Sequence, residues 1–254
     1  MRSFIARPLL LSTVLLTACG GKTQVPWDSD SATVRGADGE VDEVPWGDGD
    51  CLELEGGACV DPDDECGGKA AADVYVNEAG EVVEVVCYPP NAGEKDVIDV
   101  SGLTDEETPA IDNNAVVVFD GDATAPAFEG NLEVETNNVV LYGDDPATAV
   151  IDGDVTLNGN NALVTGVTVT GNVQVYFNNA QFSNCVIEGN LVLEGNNAVV
   201  AGCHVLGNIV VKGQNNRLTL NRVDGNIENE GGNTECVDNY SGETLATGEL
   251  LACE

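Results

Sequence analysis

Four aspartates have the type and spacing for chemistry: Asp120, Asp122, Asp144 and Asp145. They occur in two similar stretches, Phe119-Asp120-Gly121-Asp122 and Tyr142-Gly143-Asp144-Asp145, each led by an aromatic residue. Clustered carboxylates offer the hard oxygen shell that suits Ca²⁺. With Phe119 and Tyr142 beside them, they would instead make a small recognition patch for a glycan or a protein, and two solvated turns without a ligand are the plainer alternative. A third acidic stretch, Asp61-Pro62-Asp63-Asp64-Glu65, has no EF-hand spacing and reads first as solvated acid. The basic candidates are few: His204, the one histidine, with Arg222, Lys212 and Arg217.

What must position these groups is a stretch of about 18-residue period from Gly153 to Asn226. Gly-Asp or Gly-Asn opens each copy at 153, 171, 189, 207 and 225, and an Asn pair follows at 160–161, 178–179 and 196–197, becoming Gln214-Asn215 in the fourth. Between these corners, apolar or small residues alternate with polar ones, as in Val173, Val175, Ala180, Phe182, Cys185 and Ile187. A period-2 pattern cut by Gly and Asn corners and repeated at fixed length predicts a coil of parallel strands, three per turn. Like residues then stack in columns, so the Asn pairs form ladders, and Asn tolerates the left-handed backbone that a sharp corner needs. Two earlier coils carry insertions at one shared corner, 119–127 and 142–148, so the two acidic loops should project side by side.

The columns also separate the basic residues. His204 and Arg222 share one column, Lys212 falls above Glu194 in another, and Arg217 sits in a third. An ordinary ion pair between Lys212 and Glu194 is expected, and no convergent nucleophile and base. We therefore assign no catalytic residue.

Residues 97–240 resemble the right-handed parallel β-helix repeat proteins, which include pectate-lyase-like enzymes and bactofilin-like scaffolds. The strand starts lie 7, 5 and 6 residues apart, which favours this form over the strict hexads of a left-handed helix. For an enzyme of this kind the resemblance implies a Ca²⁺ cluster with an Arg or Lys base, or grouped aspartates. Neither pattern transfers to this chain residue by residue, so the resemblance concerns the fold.

Residues 1–18 place Arg2 and Arg7 ahead of an apolar run and end in Leu16-Thr17-Ala18-Cys19. They read as a signal peptide, and the ending is similar to the lipobox of bacterial lipoproteins. That resemblance implies acylation of Cys19, including a palmitate-type chain, and a lipid anchor in the outer membrane or at the cell surface. The formal net charge is −35, and removal of a leader with two Arg and no acid makes it more negative still. Nucleic acid is therefore a poor partner.

The remaining eight cysteines fit an oxidising compartment. Cys51, Cys59, Cys66 and Cys87 are expected to pin a small β module over 51–90, preceded by an acidic disordered tether over 19–50. The hairpin of that module would cap the first coil. Cys236 and Cys253 are expected to hold a C-terminal cap over 241–254, while Cys185 and Cys203, one coil apart, fit either a bond or two packed thiols.

The expectation is thus an all-β, envelope-anchored lipoprotein that acts as a binding or structural module, contacting a glycan or an envelope protein near residues 120 and 144. The alternatives are a polysaccharide lyase or hydrolase and a self-assembling scaffold.

Overall fold

The computed structural model describes residues 31–36, 41–45, 52–53, 59–60, 66, 71–77, 79–91, 97–107, 109–121, 125–242 and 247–253. The expected signal peptide over 1–18, Cys19, Cys51, the loop 61–65 and Asp122 lie outside these residues. Of Cys59 only the backbone is described, in a two-residue strand paired with Leu52–Glu53.

The chain is all-β and forms a parallel β-helix whose three faces are sheets of six, eight and nine strands. The six-stranded sheet starts at Leu132–Val134 and ends at Ile227–Asn229. The eight-stranded sheet runs from Val97–Asp99 to Glu235–Val237, and the nine-stranded sheet from Leu103–Thr104 to Glu249–Leu250. Register follows the repeat: Val173 pairs with Leu191, Leu191 with Ile209, and Ile209 with Ile227. The interior is a continuous apolar column from Val100 to Ile227.

The turn is right-handed, and the backbone shows why. Inward-facing Val155, Val173 and Leu191 donate their N–H groups to Asn172, Asn190 and Asn208 of the following coil, at 2.8–2.9 Å. In a strand of L-residues, the N–H of a residue whose side chain faces the viewer points to the right when the chain runs upward. An observer on the axis therefore finds the next coil to the right, which makes the path right-handed.

The corners behave as the repeat requires. Asn161, Asn179, Asn197, Asn215 and Asn233 all have φ between 55 and 60°, and each donates its side-chain amide to the Asn one coil before, at 2.8–3.4 Å. This column lets a left-handed residue recur without glycine, because the Asn amide is satisfied by its own kind.

Two expectations are corrected at the N-terminal end. Residues 31–45, assigned to the tether, include two paired strands, Ser31–Gly36 and Val41–Pro45. The first also pairs in parallel with Ala71–Val76, so the module is a four-stranded sheet beginning well before Cys51. Its strand partner lies some forty residues on, which a local composition reading does not see. The hairpin of Ala71–Val76 and Val82–Cys87 also does not cap the first coil. It lies along the side of the β-helix, against the outer surface of the eight-stranded sheet.

Cys66 and Cys87 are bonded, as are Cys236 and Cys253. Cys185 and Cys203 are buried free thiols. At the C-terminal end Glu249–Leu250 adds antiparallel to Tyr240–Ser241 and covers that edge of the nine-stranded sheet.

A candidate ligand cleft at the seam

The module and the β-helix meet along a seam whose apolar part contains Val86, Tyr88, Val116, Val140, Leu163 and Ala201. The last four face outward from the coils, and the module keeps them dry. Val82–Cys87 runs along the helix axis: Val83 lies at Arg217, and Cys87 lies at Gln181, two coils earlier. Gln181 bridges the Cys87 peptide, accepting its N–H at 3.1 Å and donating to its carbonyl at 2.9 Å.

A polar relay crosses the seam next to this contact. The Asn184 N–H donates to the Tyr75 hydroxyl at 3.1 Å, and Tyr75 lies 2.7 Å from Ser183 Oγ. Ser183 donates to Asp73, whose other carboxylate oxygen takes Arg35 Nε at 2.6 Å. Tyr75, Ser183 and Asp73 are at most 3 % exposed. Each of these buried groups has a partner, as burial demands. Gly202 leaves the room for the Tyr75 ring, since a Cβ there would sit 2.2 Å from it.

At the far end of the seam Arg217 Nε lies 3.2 Å from both Glu84 and Glu235. Its Nη2 donates to the Val83 carbonyl, and Nε itself lacks hydrogen-bond alignment. Burial pushes the Glu84 carboxyl above its ordinary range, against the opposing pull of Arg217 and Thr219.

Beside the relay the seam opens into a cleft of about 540 Å³, lined among others by Arg35, Asp73, Tyr88, Tyr142, Asp144 and Asn184. The inserted loop after Tyr142 forms one wall. Tyr142 donates to Asp144 at 2.6 Å, while Asp145 accepts the Ala147 N–H at 2.9 Å and so shapes the turn. Burial, with this hydrogen bond, raises the Tyr142 phenol, and burial with neighbouring Tyr142 and acidic charge raises that of Tyr88. Both rings therefore stay neutral hydrogen-bonding groups across the physiological range.

The two inserted loops do meet: a Cβ on Gly121 would lie 2.3 Å from the Thr148 carbonyl. Their expected ligand set is only partly assembled. Phe119 is not on the surface but in the core at 1 % exposure, edge-on to Phe128 at 6.3 Å. Both rings are buried, so this aromatic pair belongs to the apolar interior of the coil. Asp120 is exposed and receives its own structure from Ser101, whose Oγ accepts its N–H at 2.7 Å. Among the described residues no three of His, Cys, Asp and Glu gather at a spacing for a metal ion. Asp120, Asp144 and Asp145 are thus not gathered as a metal-binding group, the calcium alternative of the sequence reading, and its fourth member, Asp122, lies outside the described residues.

The basic residues lie as the columns require. Lys212 meets Glu194 at 2.9 Å, and His204 pairs in register with Arg222. Asp224 sits 3.2 Å from each of the latter two. Burial would raise the Asp224 carboxyl, but His204 and Arg222 outweigh it and hold the group below the ordinary carboxylate range.

The sequence reasoning did not find Arg35, Asp73, Tyr75, Tyr88 or Asn184, the first four lying 96 to 149 positions before the last. One signal for their setting was available. Val116, Val140, Leu163 and Val199 stand at outward positions of strands that read as near-continuous apolar runs, the mark of a sheet covered on both faces. No family model, no curated protein and no solved structure matches the chain.

Proposed function

We propose that the protein is an exported, lipid-tethered binding module, without turnover, whose ligand seat is the seam cleft and whose ligand is a glycan segment. The observation that carries this reading is the cleft itself. Its volume falls in the range of small-ligand sites, and its lining joins two tyrosine rings to hydroxyl, amide, carboxylate and guanidinium groups. A sugar ring has apolar faces for the tyrosines and alternating donors and acceptors for the polar groups. The relay behind the cleft fixes Asp73 and Arg35, so the polar wall is set before a ligand arrives. The leader and Cys19 support the tether, and the two disulfides support an oxidising location. End-to-end assembly is the weaker reading, because Glu249–Leu250 covers one sheet edge and Glu228, Glu230 and Glu235 make that end acidic.

The test is affinity electrophoresis of the full chain, purified in detergent, through gels holding neutral or acidic polysaccharides that are stained afterward for intact polymer. Retardation with the polymer intact, reduced in Tyr142→Phe/Asp144→Asn, supports the reading. A cleared zone would sink the claim of binding without turnover. Retardation unchanged in that variant would move the seat elsewhere. Mass spectrometry of the N-terminal peptide tests the tether, with an unmodified Cys19 excluding it.

A further inference from the structure

A second surface lies at the opposite edge of the eight-stranded sheet, at the corner that follows the six-stranded one. In four other coils this corner has a glycine, Gly159, Gly195, Gly213 or Gly231, because a Cβ there would stand 1.6–1.8 Å from a carbonyl of the preceding coil. In one coil alone of the 153–231 stretch the position is filled by a large side chain, Phe177, which is 44 % exposed, beside Tyr176 at 48 %. Phe177 thus stands where four other coils carry glycine, and it turns part of an apolar ring to water instead of burying it. Such local conflicts mark function.

The adjoining sheet surface points to the ligand. Its outward residues over four successive strands are Thr156, Gln174, Val192 and Val210, all uncharged and partly exposed, with Glu133 and Glu228 closing the two ends. This is a flat strip about 14 Å long, from three strand spacings of about 4.8 Å. It stands out in a chain with 44 acidic residues. The Gln174 amide has no side-chain partner among the described residues.

We infer that Tyr176 and Phe177, with the uncharged strip beside them, form a stacking platform for an extended neutral glycan. Exposed rings stack on the apolar faces of sugars, the Gln174 amide serves hydroxyls, and a strip without charge sets no desolvation penalty against a neutral polymer. A polyanion is repelled by the surrounding surface. The platform does not depend on the cleft being a ligand seat.

The experiment compares the full chain with Tyr176→Ala/Phe177→Gly in gels containing soluble β-glucan, xyloglucan, galactomannan or dextran. Phe177→Gly restores the residue of the other coils, so the melting temperature should be unchanged or higher. The expected result is retardation of the wild type by at least one polymer and a loss of affinity of tenfold or more in the double variant. Retardation equal in the two proteins, or no retardation of the wild type, overturns the platform. If Tyr142→Phe/Asp144→Asn alone abolishes binding, the cleft reading stands and the platform falls; the reverse result removes the cleft and keeps the platform. If the double variant changes only concentration-dependent light scattering, the surface binds a second copy and the glycan assignment is wrong.

Discussion

The coils from 153 to 226 and the module that lies along them are held by different kinds of interaction. In the coils most hydrogen bonds reach a residue 17 to 19 positions away, one coil before or after, and the pattern repeats: Asn179 to Asn161, Asn197 to Asn179, and Leu191 over Val173 in an inward apolar column. In the seam each contact occurs once and joins residues about 90 to 135 positions apart, as with Gln181 and Cys87, Ser183 and Asp73, or Thr219 and Glu84. Repetition makes the Asn ladder of the coils tolerant of a single lost hydrogen bond, since the rungs on either side remain, though not of a hole in the apolar core. The seam has no such redundancy, and the cleft is built from it.

Substitutions should separate these two regimes. The largest effect is expected from Phe182→Ala, which empties a fully buried site between coils. A loss of about 3–5 kcal/mol should appear in urea denaturation, and an unaltered midpoint would mean that the stacked neighbours close the hole. Tyr75→Phe removes one hydroxyl that serves both Ser183 and Asn184. It should remove about 1–3 kcal/mol and speed hydrogen exchange in 71–88 while the coil amides stay protected. Equal loss of protection in both regions would show that the seam and the coils unfold as one unit.

Titration sharpens the contrast further. Tyr75, Tyr88 and Tyr142 have folded pKa values raised by burial above the ordinary value of 10.0. The fold prefers the neutral phenols, so their contribution is fully present below that pH and is lost as pH rises through the raised values. Phenolate absorbance of these residues should appear together with seam opening; absorbance that rises first at the unperturbed pH would contradict the burial. The smallest effect concerns Glu84, also raised by burial. Its contribution is present below the ordinary carboxylate pKa of 4.5 and declines as pH rises through the raised value. Glu84→Gln should therefore flatten the fall in stability that wild type shows on leaving acid, and an identical pH slope in both would exclude a role.

The coils were legible in the sequence because their physics is periodic. Inward Val173, Val175, Phe182 and Ile187 recur in the next copy, so the pattern alone gives strand, corner and register, and even the Lys212–Glu194 pair. The Cys236–Cys253 bond was legible from an inward position and a short tail. The seam was not, because neither side contains a period. Val34 and Arg35 look like tether residues until Asp73 and the strand around it are known. Phe119 misled for another reason: an insertion was read as projecting outward, whereas its first residue turns in to pack on Phe128 in the core. The cleft needed both segments, and so only its Tyr142–Asp145 wall could be named in advance.

A repeat of this kind is easily lengthened, since one duplicated copy adds a rung that stacks like any other. The module forbids this within its span. Cys87 must reach the rung of Gln181 while Glu84 reaches that of Arg217, two rungs on. A copy gained or lost between them would set one of the two anchors a full strand spacing out of place. The side-lying sheet therefore acts as a ruler, and the rungs beneath it are counted even though each is interchangeable with the next.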